Sequence, residues 1–306
     1  MICPFCFEKK PVICANIRLY DCFCYFKYFC ATLSAFFAFN YIENKIRKGK
    51  KDGEILAFIE VHNLRKVYRI GNEKVYALKN IDLEIEEGEI CCILGTSGSG
   101  KSTLLNMLAG LEKPTRGDIF INGTNIALLS ESKLASFRQQ NTGFIFQSYN
   151  LISQFNALEN VGMPLMFKGM QRKKRDKLAA RMLELVGLGK RMKHRPNQMS
   201  GGQQQRVGIA RAFVAKPKVV FADEPTGNLD TKTTDDVMRL MVRMCRKYKI
   251  TLIVVTHDIE IAQYTDRIVH IIDGEITSIE NNVSVYKSED DTEQNENQKK
   301  REDETK

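Results

Sequence analysis

Two kinds of apolar patterning divide this chain. Ile90 to Leu94, Val219 to Ala222 and Leu252 to Thr256 are short continuous apolar runs, each followed by polar residues and then a helical pattern. Strands of that kind are buried on both faces, so they predict a mainly parallel sheet covered by helices. Phe58 to Tyr68 and Lys74 to Ile85 instead alternate in part around Gly71-Asn72, and a shorter stretch, Asp118 to Asn122, ends at Gly123. These predict an antiparallel layer. Between Ala157 and Gly187 the period turns helical, with Leu178, Met182, Leu183 and Val186 on one stripe that reads as core. A helical insert over residues 148–200 follows from this.

The loop between the first apolar run and its helix carries the most specific chemistry. Gly95-Thr96-Ser97-Gly98-Ser99-Gly100-Lys101-Ser102-Thr103 has every diagnostic position of a phosphate-binding loop, set between a predicted strand and a predicted helix over Lys101 to Leu111. Its glycines let backbone N–H groups converge on phosphate oxygens, and the positive helix end faces the same anion. Lys101 is expected at the β- and γ-phosphates and Ser102 at Mg²⁺. The fold class is therefore α/β: a P-loop nucleoside triphosphatase core with a mainly parallel sheet, an antiparallel β layer and the helical insert.

Two further clusters fit that chemistry. Asp223 and Glu224 stand where the apolar run Val219 to Ala222 emerges, on the side of an α/β sheet that binds ligands. Asp223 suits Mg²⁺, directly or through water, and Glu224 suits the base that orients and deprotonates the attacking water. Met199-Ser200-Gly201-Gly202-Gln203 opens the helical run Gln204 to Ala215, a second anion-binding helix end about one hundred residues after the first. Two copies paired head to tail could each complete the other's site.

In these motifs the chain resembles the ATPases of ATP-binding cassette (ABC) transporters, from roughly Phe58 to Ser278. The resemblance implies that Tyr68 stacks on adenine, that Gln147 is a hinge glutamine sensing Mg²⁺ and the attacking water, and that His257 contacts the γ-phosphate. It implies that Asn228-Leu229-Asp230 crosses a dimer interface, with Asp230 joining Ser200, Gly201, Gly202 and Gln203 at the nucleotide. It further implies a separate membrane permease docking on Tyr149 to Phe167 near Gln147, at the cytoplasmic face of the membrane. Gln203 to Val207 and Ala222 to Asp230 look most like the group handling lipoprotein release, macrolide or antimicrobial-peptide export and cell-division signalling. Met199, Phe213 and Phe221 depart from the family pattern without removing a catalytic atom. A soluble ABC ATPase of ribosomes or DNA is the rival class. It is disfavoured because the chain has neither a second cassette nor long coiled coils.

Composition sharpens the edges of this picture. The formal charge of +9 over 306 residues is uneven, with a basic stretch from Lys168 to Arg195 and a net acidic end. No aromatic residues interleave with those cations as single-strand binding needs, so no nucleic acid partner is expected. Cys91, Cys92 and Cys245 read as buried, reduced thiols. The other six of nine cysteines fall within the first thirty residues, in a Cys- and aromatic-rich extension over residues 1–55. Three readings stand for it. Cys3-x-x-Cys6 supplies half a zinc site, and Cys22 to Ile42 is a marginal membrane span interrupted by Lys27 and followed by basic residues. The third, favoured by the absence of capping, turn or periodic logic, places natural translation at about Leu56. The ATPase domain is expected over 56–283 and a charged, disordered tail over 284–306.

Overall fold

The computed structural model describes residues 57–282. The amino-terminal extension and the charged tail, with the zinc, membrane-span, translation-start and disorder expectations placed on them, lie outside the described residues.

The antiparallel layer has the order β2-β1-β4-β5, built from β1 (Ile59–Ile70), β2 (Glu73–Ile85), β4 (Arg116–Ile121) and β5 (Thr124–Asn125). β1 and β2 pair from Ile59↔Ile85 to Ile70↔Glu73, which puts Gly71-Asn72 at the turn, with Gly71 at φ +60°. The second sheet has six strands in the order β10-β9-β3-β8-β7-β6. It contains β3 (Ile90–Leu94), β6 (Thr142–Phe146), β7 (Val219–Asp223), β8 (Thr251–Thr256), β9 (Arg267–Ile272) and β10 (Glu275–Asn281). All its pairings are parallel except β9 with β10 at one edge. The helices are α1 (Lys101–Leu108), α2 (Glu131–Asn141), α3 (Ala157–Phe167), α4 (Arg172–Leu185), α5 (Gly201–Phe213), α6 (Thr231–Tyr248) and α7 (Ile259–Ala262).

The continuous apolar runs are buried on both sides, as their composition requires. In β7, Val220 and Ala222 join a core shared with α3 to α6, whereas Val219 and Phe221 join one shared with α1 and the antiparallel layer. The two-residue alternation of a strand divides one apolar run between two cores. The unusual Phe221 is fully buried, its ring 5.7 Å from that of Phe144, so the departure from the family pattern is absorbed by an aromatic stack. Cys91, Cys92 and Cys245 are buried free thiols, and burial pushes Cys92 up to about 12.

Some element boundaries differ from the expected ones. α1 stops at Leu108 because Gly110 takes a left-handed conformation (φ +65°) that the helix cannot continue through. β9, β10 and α2 carried no clear pattern. Arg267 and His270 interrupt the apolar run of β9, β10 is largely exposed, and α2 buries only Leu134.

Candidate nucleotide site

Four of the anticipated site residues each stand one position beyond the end of a parallel strand. Gly95 follows β3, His257 follows β8, Glu224 follows β7 and Gln147 follows β6. These four strands are adjacent in the sheet, and their ends are in register: Leu94↔Thr256, Asp223↔Val255 and Phe146↔Asp223. Sheet order therefore gathers residues far apart in sequence along one carboxyl edge, where open α/β sheets bind ligands.

The loop from Gly95 to Gly100 bridges β3 and α1, and Thr96, Ser97 and Gly98 are exposed at its crown. A Cβ on Gly100, which sits at φ +99°, would lie 2.5 Å from the Ala77 carbonyl oxygen, and one on Gly95 would strike the Ile271 carbonyl. Both glycines are thus required by close backbone approach. Lys101 is 5% exposed and folds back over the loop, its Nζ donating to the Thr96 carbonyl at 2.7 Å. Burial holds its ammonium below the ordinary lysine range, against the pull of Glu224 and Asp223. Thr103, two residues further along α1, lies within reach of the Tyr68 hydroxyl.

Ser102 Oγ donates to Asp223 Oδ1 at 3.2 Å, joining positions 121 residues apart. Burial raises the Asp223 carboxyl above the usual range and the charge of Glu224 adds to this, while Ser102 and Lys101 oppose it. Glu224 adopts φ +43°, a left-handed conformation costly for a residue with a Cβ. The turn is held by its own N–H on the Val255 carbonyl at 2.9 Å and by Gly227 N–H on its carbonyl at 3.1 Å. Its carboxylate Oε1 lies 2.9 Å from His257 Nδ1, and the imidazole is 61% exposed, facing outward from the strand ends. Gln147 packs on the loop after Glu224: a Cβ on Gly227 would lie 2.7 Å from its Nε2, and Asn228 Nδ2 donates to its carbonyl at 3.0 Å.

Tyr68 is tied to the edge of this cluster. Its hydroxyl donates to Glu112 Oε2 at 2.7 Å, and Lys66 pairs with Glu112 Oε1 at 2.7 Å while its Nζ sits 5.1 Å from the ring centroid. Burial and the Glu112 carboxylate raise the phenol above its ordinary value.

The second helix end is assembled separately. Ser200 caps α5, its Oγ accepting from Gln203 N–H at 3.4 Å while Gln203 Oε1 accepts from Ser200 N–H at 3.3 Å. A Cβ on Gly202 would lie 2.5 Å from Thr233 Cγ2, and one on Gly201 2.7 Å from Tyr149 Oη. Asp230 caps α6 on Thr233, accepting from its N–H at 3.0 Å and its hydroxyl at 2.7 Å, and these bonds hold its carboxyl below the usual range. Asp230, Ser200, Gly201, Gly202 and Gln203 thus form one rim. Among the described residues no hydrogen bond or ion pair joins that rim to Lys101 or Ser102.

Three linking residues escaped the sequence reading. Gln205, fully buried, donates to the Pro225 carbonyl and so ties α5 to the loop after Glu224. Arg211, 7% exposed, donates to the Tyr149 and Asn150 carbonyls at 2.8 and 2.6 Å, holding two residues at φ +59° and +45° just beyond Gln147. Asn160, fully buried, accepts from Ile152 N–H at 2.8 Å and donates to three carbonyls, fixing the same segment from the other side. A polar residue inside the apolar period of a helix is the one sequence signal that could have found Asn160.

A phosphate loop at the carboxyl edge of a parallel sheet, faced by two strand-end carboxylates and a histidine, defines a P-loop nucleoside triphosphatase. The model of the ABC transporter family matches residues 78–227. An uncharacterized ABC transporter ATP-binding protein of Methanocaldococcus jannaschii is 50% identical over 223 residues, 73% of this chain and 99% of that protein. The lipoprotein-releasing system ATP-binding protein LolD of Geobacter metallireducens is 45% identical over 222 residues, 72% of this chain and 99% of LolD. The macrolide export ATP-binding/permease protein MacB of Rhodopirellula baltica is 46% identical over 218 residues, 71% of this chain but only 32% of MacB. A solved ATP-binding cassette, a dimer in a post-hydrolysis state bound to ADP and Pi, is similar at TM-score 0.69 and 43% identity, covering 73% of this chain and 98% of that one. The chain belongs to the ABC transporter family and is an ATP-binding, ATP-hydrolysing subunit.

Proposed function

We propose that this ATPase works as a head-to-tail dimer on the cytoplasmic face of a membrane, closing on ATP to drive a separate permease of the lipoprotein-release and macrolide-export group. The observation that carries this reading is the division of the site. Lys101, Ser102, Asp223, Glu224, Gln147 and His257 stand together at the sheet edge, while Ser200 to Gln203 and Asp230 form a second rim that, among the described residues, has no hydrogen bond or ion pair to Lys101 or Ser102. A second copy supplying its rim to the first copy's phosphate loop would complete both sites. The solved cassette resembling this chain is itself a dimer, which supports the pairing.

In the composite site the loop N–H groups of Gly95 to Thr103 and the Lys101 ammonium bind the phosphates, while Tyr68 offers the ring face away from Lys66 to the adenine. Lys101 trades its bond to Thr96 for phosphate oxygens, regaining the charge partners that burial withholds. Glu224 accepts the proton of the attacking water, and its hydrogen bond to His257 orients the carboxylate. Ser102 and Asp223, with Gln147, fit Mg²⁺: an oxygen pair whose ionised carboxylate is penalised by burial beside Glu224 is relieved by a hard cation. That ion supplies neutralisation of phosphate charge.

The permease is assigned to a groove of about 780 Å³ between α2, β6 and α3, lined by Arg138, Phe144, Asn150, Met163, Phe167 and Arg211. Asn150 and Arg211 connect its floor to the Gln147 segment, so filling the groove would press on the residues that position the attacking water. Sizing purified Glu224→Gln protein with ATP and Mg²⁺ tests the central claim. A stable dimer that dissociates without nucleotide is expected, whereas a strictly monomeric chain would overturn it. Strong ATPase coupling with no substrate crossing a membrane would favour a mechanotransmitting member of the family.

A further inference from the structure

The turn between α3 and α4 sets exposed apolar side chains beside a run of cations. Gly169, at φ +72°, reverses the chain, and Met170 folds inward against the core. Met166 and Phe167, one turn earlier, stay 43% and 63% exposed. Large apolar side chains left in water beside a turn that can bury its own methionine mark a contact surface. The segment Lys168 to Lys177 that follows holds six cations and a single acid, Asp176. Asp176 is drawn to Arg172 and Arg175, each at 3.5 Å, and Lys168 is anchored to the Ala215 carbonyl. Lys173, Lys174 and Lys177 are exposed on the first turns of α4.

We propose that this tip rests on anionic lipid: Phe167 and Met166 enter the headgroup boundary while Arg172, Lys173, Lys174 and Lys177 meet lipid phosphates. An exposed aromatic flanked by flexible cations is the pattern of an interfacial membrane contact, because the ring gains an apolar boundary and the long stems reach back to charge. Phe167 also lines the α2-β6-α3 groove, so the lipid contact would be continuous with the docking site. The inference rests on the reading that this groove receives a membrane permease. The lipid contact would orient the groove toward the bilayer and shorten the search for its partner.

The chain contains no tryptophan, so Phe167→Trp in the full-length protein provides a single reporter at the tip. With vesicles of phosphatidylglycerol and phosphatidylcholine, its emission should shift to the blue and be quenched by brominated acyl chains. The response should disappear near 1 M salt, where the screening length is about 3 Å. Adding Lys173→Glu, Lys174→Glu and Lys177→Glu should raise the lipid needed by roughly a hundredfold or more, at about fivefold for each cation. Absent quenching on these vesicles overturns the proposal, even if the chain sediments with them through another segment. Equal quenching on phosphatidylcholine alone, or a response to duplex DNA in place of vesicles, also overturns it. The salt arm decides the matter if the triple variant misfolds. ATP-dependent dimerisation of Glu224→Gln is measured without lipid, so failure of the permease reading and failure of this one are separable.

Discussion

At the start of α1, Lys101 folds over its loop, Ser102 bonds Asp223, and Glu224 bonds His257, all within one chain. At the start of α5, the Ser200 and Gln203 side chains cap each other's backbone N–H groups. Both helix starts carry first-turn N–H groups and a positive dipole end of the kind that suits an anion. The difference is in what surrounds them: the first has acidic and basic partners brought by neighbouring strands, whereas the second has its cap and close packing on Thr233 and Tyr149, with no charged partner among the described residues. A helix start of the kind that suits an anion, with no charged partner beside it among the described residues, fits the proposed donation to another subunit's site.

The strongest way to break this comparison is to disable the two ends in different chains. Lys101→Ala and Ser200→Ala should each lower turnover by about 10² to 10³, since each removes a preorganised donor to phosphate oxygens. Mixed in equal amounts they should regain part of the activity through one intact composite site, read as ATPase rate against mixing ratio. A flat response at every ratio would argue that each chain hydrolyses alone. Glu224→Gln should slow hydrolysis by about 10² to 10⁴ while nucleotide affinity, measured by a fluorescent analogue, changes little. Unchanged turnover would remove Glu224 from the chemistry.

Smaller effects sharpen the contrast. Asn160→Ala leaves Ile152 N–H without its acceptor and should cost about 1–3 kcal/mol in denaturant unfolding, with no comparable loss from Ser200→Ala beyond a cap's roughly 1 kcal/mol. The smallest effect concerns pH. Because burial raises the Asp223 carboxyl, the folded state holds its proton more tightly than the unfolded chain does. The proton-linked contribution is present below the ordinary aspartate range and lost as pH rises through the raised value. Asp223→Asn should therefore melt slightly higher than the parent near neutral pH without nucleotide, and the gain should shrink as the solution is acidified. A gain that grows with acidification would show the carboxyl to be lowered instead.

Much of the first helix end was legible because it is contiguous. The run from Gly95 to Thr103 carries its strand, loop, lysine and hydroxyl in adjacent positions. The pairing of Ser102 with Asp223 was readable only as a shared role, and its distance required the sheet order. Gln205 and Arg211 were invisible for a similar reason: each is a polar residue on a helix whose partner carbonyls belong to loops far along the chain. β9 was missed as well, although it is the strand that flanks β3 on the side away from β8.

The sequence by itself determined the strand types, the phosphate loop, the second glycine-rich helix start and the family, because apolar period and short motifs act over neighbouring residues. Tertiary structure alone decided that β3, β8, β7 and β6 lie side by side with their ends in register, which gathers Gly95, His257, Glu224 and Gln147 on one edge. Strand order depends on which buried faces find each other across long stretches of chain, and local periodicity is the same whatever that order turns out to be.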